Sequence, residues 1–205
     1  MHKLKRVLAL GAHPDDLELG CGATLAKLSD TGVSITALVF SEGRCGTAPE
    51  FDRAEETEAA LKALGVASVV QYGFPDTLFH EHLNDLIKVI EGYVSELSPD
   101  RVYTMFDQDQ HQDHRAVYQA SSVACRKVPE LISYETPSSH PNFTPTMYER
   151  VDGYIEQKIA ALKIHASQSD RPYMDEETVR AAIRFRGLQI GLHATEGFFP
   201  YRLVY

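Results

Sequence analysis

The chain reads as an α/β protein: a three-layer, Rossmann-like domain with a mostly parallel sheet and helices on both faces. Three observations predict this. Short apolar runs that stop at Gly, Pro or polar turns alternate with longer segments of helical periodicity. The runs are near-continuously apolar, which suits strands buried on both faces. At 205 residues, 43% hydrophobic and 24% charged, the chain is large enough for one real core. No repeat, low-complexity tract or linker divides it, so residues 1–205 read as a single domain.

The elements follow in order. Arg6–Leu10 is an apolar run ending at Gly11, read as the first strand. Gly20–Asp30 has helical spacing and stops near Gly32. Ser34–Phe40, rich in apolar and β-branched residues, is the second strand. Asp52–Leu64 is strongly helical, with Asp52 as N-cap and Gly65 as the C-terminal stop. Ser68–Tyr72 is a third strand closed by Gly73-Phe74-Pro75-Asp76. Leu86, Ile87, Ile90, Val94 and Leu97 make an apolar stripe on a helix over Leu83–Leu97, ended by Pro99. Arg101–Phe106 is a fourth strand, Asp113–Arg126 a helix and Leu131–Tyr134 a fifth strand. The Pro, Ser and Thr of Pro137–Pro145 read as a long loop of the kind that often carries function. Val151–Ala166 is a helix, Gln168–Tyr173 a polar break, Asp175–Gly191 the last helix and Phe198–Tyr205 a terminal strand. Alternating strands and helices imply right-handed βαβ units, whose ligands sit beyond the carboxyl ends of the strands.

Bulk properties exclude several classes of function. A net charge of −9 argues against nucleic acid or an anionic membrane as partner. No apolar stretch approaches the ~20 residues of a bilayer span, and Val7–Ala12 is too short for a signal-peptide core. Cys21, Cys45 and Cys125 are odd in number and form no CxxC pair, which suits a reducing cytoplasm.

Two clusters carry chemistry. Gly11-Ala12-His13-Pro14-Asp15-Asp16 follows the first strand, and His111-Gln112-Asp113-His114 follows the fourth. Both fall on the carboxyl edge, so sequence separation is no obstacle to their meeting. A catalytic zinc has three N or O protein ligands and one open position, and His13, Asp16 and His114 can supply the three. The same donors also suit iron(II). Asp15, beside a ligand but not one itself, can act as general base towards water on the metal. His111, held by Asp113, is expected to stabilise an oxyanion or protonate a leaving amine. His2, His80, His82 and His140 read as ordinary surface or core histidines. Gly20-Cys21-Gly22 lacks the rest of a phosphate-loop signature and reads as close helix–sheet packing.

At these residues the chain resembles the PIG-L/LmbE family of zinc-dependent N-deacetylases over most of its length. Ala12–Asp16 matches the AHPDD signature, and Leu17–Gly22 resembles its continuation into the first helix. His111–His114 matches HxDH. Ser41-Glu42-Gly43 through Thr47, Arg53-Ala54-Glu55-Glu56, Leu64-Gly65 and Gly73–Asp76 resemble further family segments. The resemblance implies an LmbE-like fold and hydrolysis of an N-acetyl group from an amino sugar, usually N-acetylglucosamine in a larger conjugate. It implies His13, Asp16 and His114 as ligands, Asp15 as base, the Asp113–His111 pair as transition-state stabiliser, and Arg53 as an arginine reaching the site. It also implies, by analogy, a homo-oligomer. Leu17 replaces the commoner Glu. Asp109 stands where some members have Tyr; it is expected to bind a substrate hydroxyl or cap a turn. In the C-terminal part, Tyr134–Ser139, His165–Gln168, Arg186-Gly187 and Glu196–Phe198 resemble bacterial members, which puts His165 and His193 at loop ends able to face the sugar. A metal-dependent phosphoesterase and a non-catalytic sugar- or nucleotide-binding module are the alternatives. The first needs a second ion; the second predicts no effect of chelation.

Overall fold

The computed structural model describes residues 4–46 and 52–204. His2, Thr47 and Tyr205, to which expectations were assigned above, lie outside them. Strands β1 (Arg6–Gly11), β2 (Ser34–Val39), β3 (Ser68–Gln71), β4 (Arg101–Thr104), β5 (Glu130–Tyr134), β6 (Met147–Arg150) and β7 (Thr195–Leu203) form one sheet in the order β3-β2-β1-β4-β5-β7-β6. The first five run parallel, while β7 is antiparallel to both β5 and β6. The helices are α1 (Asp16–Asp30), α2 (Arg53–Ala63), α3 (Leu83–Leu97), α4 (Gln112–Ala124), α5 (Ile155–Ile164) and α6 (Glu176–Leu188).

The expected α/β architecture is present. Central β1 is buried at every residue after Arg6, with Leu8, Ala9 and Leu10 fully so, as a strand covered on both faces must be. From β1 the chain steps outward to β2 and β3, then returns to β4 on the other side of β1. Right-handed crossovers therefore put α1 and α2 on one face and α3 and α4 on the other. Accordingly α3 packs on α4, and α5 covers α1 and α2. The reversal between β1 and β4 is a topological switch point, where the loops leaving the two strands diverge and open a crevice.

Local chemistry explains the boundaries. Asp52 caps α2, accepting from Ala54 N and Glu55 N at 2.9 and 3.2 Å. Asp175 caps α6 through Thr178 N. The expected start of the first helix at Gly20 is corrected: α1 begins at Asp16 and breaks internally at Cys21 (φ −144°). Gly20 presses on the Tyr134 ring, where a Cβ would fall 2.1 Å from a ring carbon, so the packing role expected of these glycines holds there. The break strands backbone groups, and a buried ion pair catches them. Glu196 accepts from Ala23 N and Thr24 N at 3.1 and 2.7 Å, and Lys158 donates to Leu19 O and to Glu196, both at 2.6 Å. Strand β6 was not expected, and β7 begins earlier than Phe198. The Val151–Ala166 helix shortens to α5, with Ala166–Gln168 a 3-10 turn.

Candidate metal centre

The turn from β1 into α1 carries the first cluster. Asp15, at the N-cap of α1, is held at φ 87° and makes no capping hydrogen bond. A left-handed conformation is tolerated by Asp more readily than by most residues, and it marks a backbone constrained by its surroundings. The Asp15 carboxylate instead meets Arg53 Nη2 at 3.2 Å. Arg53, buried at the first position of α2, also donates to Pro14 O and Gly43 O at 2.9 and 3.0 Å. Gly43 (φ +65°) leaves the room: a Cβ there would sit 2.4 Å from Arg53 Nη1.

The second cluster approaches across the switch point. His13 Nδ1 and His114 Nε2 are 3.4 Å apart. Asp16 Oδ1 lies 3.3 Å from His114 Nε2, and Asp16 Oδ2 lies 3.6 Å from His13 Nδ1. Donors on tetrahedral zinc, at bonds of ~2.0–2.2 Å, are ~3.3–3.5 Å from one another. The two imidazole nitrogens meet that spacing, and Asp16 meets it with His114 through Oδ1 and approaches it with His13 through Oδ2, so the three side chains could hold one ion. His13, His111 and His114 also offer nitrogens that all lie within 4.8 Å of one another. His111 therefore stands beside the same point as His13 and His114, its ring stacked on that of His114.

The His13 and His114 imidazoles are each backed by a buried carboxylate. His13 Nε2 is 3.1 Å from Asp113 Oδ2, and His114 Nδ1 is 3.1 Å from Asp109 Oδ2. This is the arrangement that orients metal-ligating histidines in general. Asp113 is 0% exposed and also accepts from Thr77 N and Phe79 N at 2.6 and 3.2 Å. Asp109 is held by Thr136 and Ser138 hydroxyls at 2.6 and 2.7 Å.

The carboxylates around the two imidazoles favour positive charge on them. Burial works against charging His13, but hydrogen bonds to Asp113 and Asp16 and the Asp16 charge raise it to about 9. Burial is likewise outweighed at His114, raised to about 10 by Asp16 and Asp109. Burial would raise the Asp16 carboxyl, yet the two imidazoles hold it far below its usual range. Asp15 differs: burial and the Asp16 charge push it up to about 7, against the pull of Arg53.

Three expectations are corrected. Asp113 does not hold His111 with its carboxylate, which serves His13. His111 instead receives the Asp113 backbone N–H on Nδ1 at 3.2 Å, as the N-cap of α4. Burial, and the charges of His13 and His114, lower its pKa, which favours the neutral imidazole over the imidazolium, and with Nδ1 accepting, Nε2 is the nitrogen placed to carry the proton. His193 does not face this site: it is exposed, with Nδ1 3.1 Å from Asp152. His165, buried against Glu18 at 2.9 Å, does not line the cavity either.

The cavity over the clusters measures about 370 Å³. His13, Asp15, Asp16, Arg53, His111 and His114 line it together. Sequence reasoning missed Thr77, Ser138, Arg171 and Tyr173 in its wall. Ser138 was signalled by the long Pro- and Ser-rich loop; Arg171 and Tyr173 lay in a polar break with no motif. Thr77, at φ 69°, is a strained β-branched residue whose turn delivers two N–H groups to Asp113.

Fold and site together define an α/β protein with a cluster of histidines and carboxylates able to hold a metal ion at its sheet switch point. The PIG-L family model, described as GlcNAc-PI de-N-acetylase, matches residues 8–125, and the chain belongs to this family. It is 49% identical over 172 residues to the uncharacterized deacetylase YaiS of Escherichia coli K12, covering 81% of this chain and 93% of that protein. Among solved structures, the conserved protein TT1542 of Thermus thermophilus superposes with a TM-score of 0.84 at 28% identity, over 99% of this chain and 97% of that one. The N,N'-diacetylchitobiose deacetylase of Pyrococcus horikoshii superposes with a TM-score of 0.78 at 26% identity, over 97% of this chain and 84% of that one. Among the described residues no helix is long and apolar enough to cross a membrane.

Proposed function

We propose that this protein is a zinc-dependent hydrolase that removes the N-acetyl group from an N-acetylglucosamine-containing conjugate. One observation carries the reading: His13, Asp16 and His114 converge at 3.3 to 3.6 Å in a cavity that also holds an unliganded carboxylate, Asp15. In this reading those three residues hold the ion, for which iron(II) is the alternative. When bound, it polarises the amide carbonyl and lowers the pKa of water towards ~7.

The protein's own groups do the rest. Asp15 takes the proton of the attacking water, its carboxylate aimed and kept ionisable by Arg53. His111, neutral, donates through Nε2–H to the amide oxygen as that atom gains negative charge. Asp113 and Asp109 keep His13 and His114 in the required tautomers. The proton gained by Asp15 is returned to the departing amine. Membership of a deacetylase family supports the reading. The donors present suit one ion, which favours it over a two-metal phosphoesterase. The free cysteines Cys21, Cys45 and Cys125 support a cytoplasmic setting.

The test is acetate release from a panel of N-acetylglucosamine glycosides by chelated and by zinc-reloaded protein. The reading expects acetate only after reloading, at one ion per chain. Acetate release untouched by chelation, or two ions per active chain, overturns it.

A further inference from the structure

A second cavity, of about 390 Å³, abuts the metal cavity. Leu19, Thr136, Pro137 and Tyr173 line both, so the two adjoin along these four residues. Its far wall is one side of α6: Val179, Ala182, Ile183 and Phe185. Phe185 is 57% exposed, an aromatic ring kept at the mouth rather than in the core.

The charges in this cavity are already matched. Lys158 is bonded to Glu196 at 2.6 Å. Arg186 Nε meets the Glu135 carboxylate at 2.9 Å, and its guanidinium lies 5.7 Å from the Phe185 ring centre. An anionic ligand would have to compete with a carboxylate in place for either cation, and a cationic ligand with a cation in place for either carboxylate. What the walls offer a newcomer is apolar surface, in a volume typical of small-molecule sites.

We propose that this second cavity is the aglycone subsite, and that it takes a neutral aglycone with an apolar face, such as an aryl or alkyl group on the amino sugar. The inference rests on the deacetylase reading: the acetamido group sits over His13 and His111 while the glycosidic substituent crosses Tyr173 and packs on α6. An anionic substituent in the same place is disfavoured.

The test compares kcat/KM for the phenyl and methyl glycosides of N-acetylglucosamine and for its 1-phosphate, using zinc-loaded wild type and Ala182→Trp. Ala182 is exposed on α6, so the indole enters the cavity and not the core. Wild type is expected to prefer phenyl to methyl by about tenfold or more, the equivalent of burying part of one ring, and to turn over the phosphate less well than either. In Ala182→Trp the phenyl-to-methyl ratio falls to near one, with the thermal midpoint retained. Equal rates for phenyl and methyl in wild type, a ratio that survives the indole, or preference for the phosphate would each overturn the proposal. Phenyl β-D-glucoside, which lacks the acetamido group, supplies a second readout by saturation-transfer NMR. It is expected to bind wild type and not Ala182→Trp. If no glycoside is deacetylated, the deacetylase reading fails while this binding measurement still decides the subsite; absence of binding overturns the subsite alone.

Discussion

Replacing Asp113 by Asn tests the architecture of the centre most sharply, because it changes no proposed ligand. The Asp113 carboxylate takes three donors: His13 Nε2 and Thr77 N on Oδ2, at 3.1 and 2.6 Å, and Phe79 N on Oδ1 at 3.2 Å. An Asn has the same shape but one acceptor oxygen. If that oxygen serves His13 and Thr77, the amide NH2 is forced against Phe79 N–H. A buried donor left unpaired costs about 1–3 kcal/mol, so the metal-free fold loses about that much. The neutral amide also no longer supports His13 electrostatically, and loss of such an outer carboxylate weakens metal binding by about 10–100-fold. Competition against a fluorescent zinc chelator measures the affinity, and thermal unfolding without metal measures the stability. Wild-type affinity in a folded Asp113→Asn protein would refute the reasoning, since it would mean His13 needs no carboxylate behind it. Asp109→Asn acts on His114 in the same way and should show a loss of similar size.

Three further outcomes follow from the same geometry. Asp15→Asn should retain one zinc per chain while kcat falls by at least about 10²-fold; near-normal turnover would remove Asp15 from the role of base. Zinc uptake at pH 7 should release about two protons, because His13 and His114 are raised to about 9 and about 10 in the metal-free protein. Calorimetry in buffers of different ionisation enthalpy reads this number, and affinity should drop as pH falls. With folded pKa values above the unfolded ones, both imidazoles stabilise the metal-free fold fully below the ordinary histidine pKa. That contribution is lost as pH rises through about 9 and about 10. Lys158→Met should lower stability by about 3–5 kcal/mol, because it leaves the Glu196 charge buried and unpaired. Adding Glu196→Gln should recover part of the loss in chemical denaturation; an additive pair would show that the two side chains do not interact.

Much of the site was legible in the sequence because its donors come in two tight clusters, each tied to a strand end. His13 and Asp16 are three residues apart in one turn, so local geometry alone brings them together. Joining them to His114 needed only the rule that parallel strands end on one edge. The roles of Asp109 and Asp113 were harder to read, because a carboxylate's partner depends on neighbours far along the chain. Asp113 lies two residues from His111, yet its carboxylate bonds His13, a hundred positions away. His193 looked like a site residue for the opposite reason: nothing local said which way its loop would turn.

What the amino-acid order determined by itself was periodic or local: strand–helix alternation, the cap at Asp52, and the two clusters of histidines and carboxylates. Each depends on residues within a few positions of one another. Tertiary packing decided the rest. It kinked α1 at Cys21, closed the gap with Lys158 and Glu196, added β6, ran β7 antiparallel to both its neighbours, and set α6 against a second cavity. These features pair groups from distant segments, and in a buried setting a polar group's role is set by whichever partner the fold brings within about 3 Å.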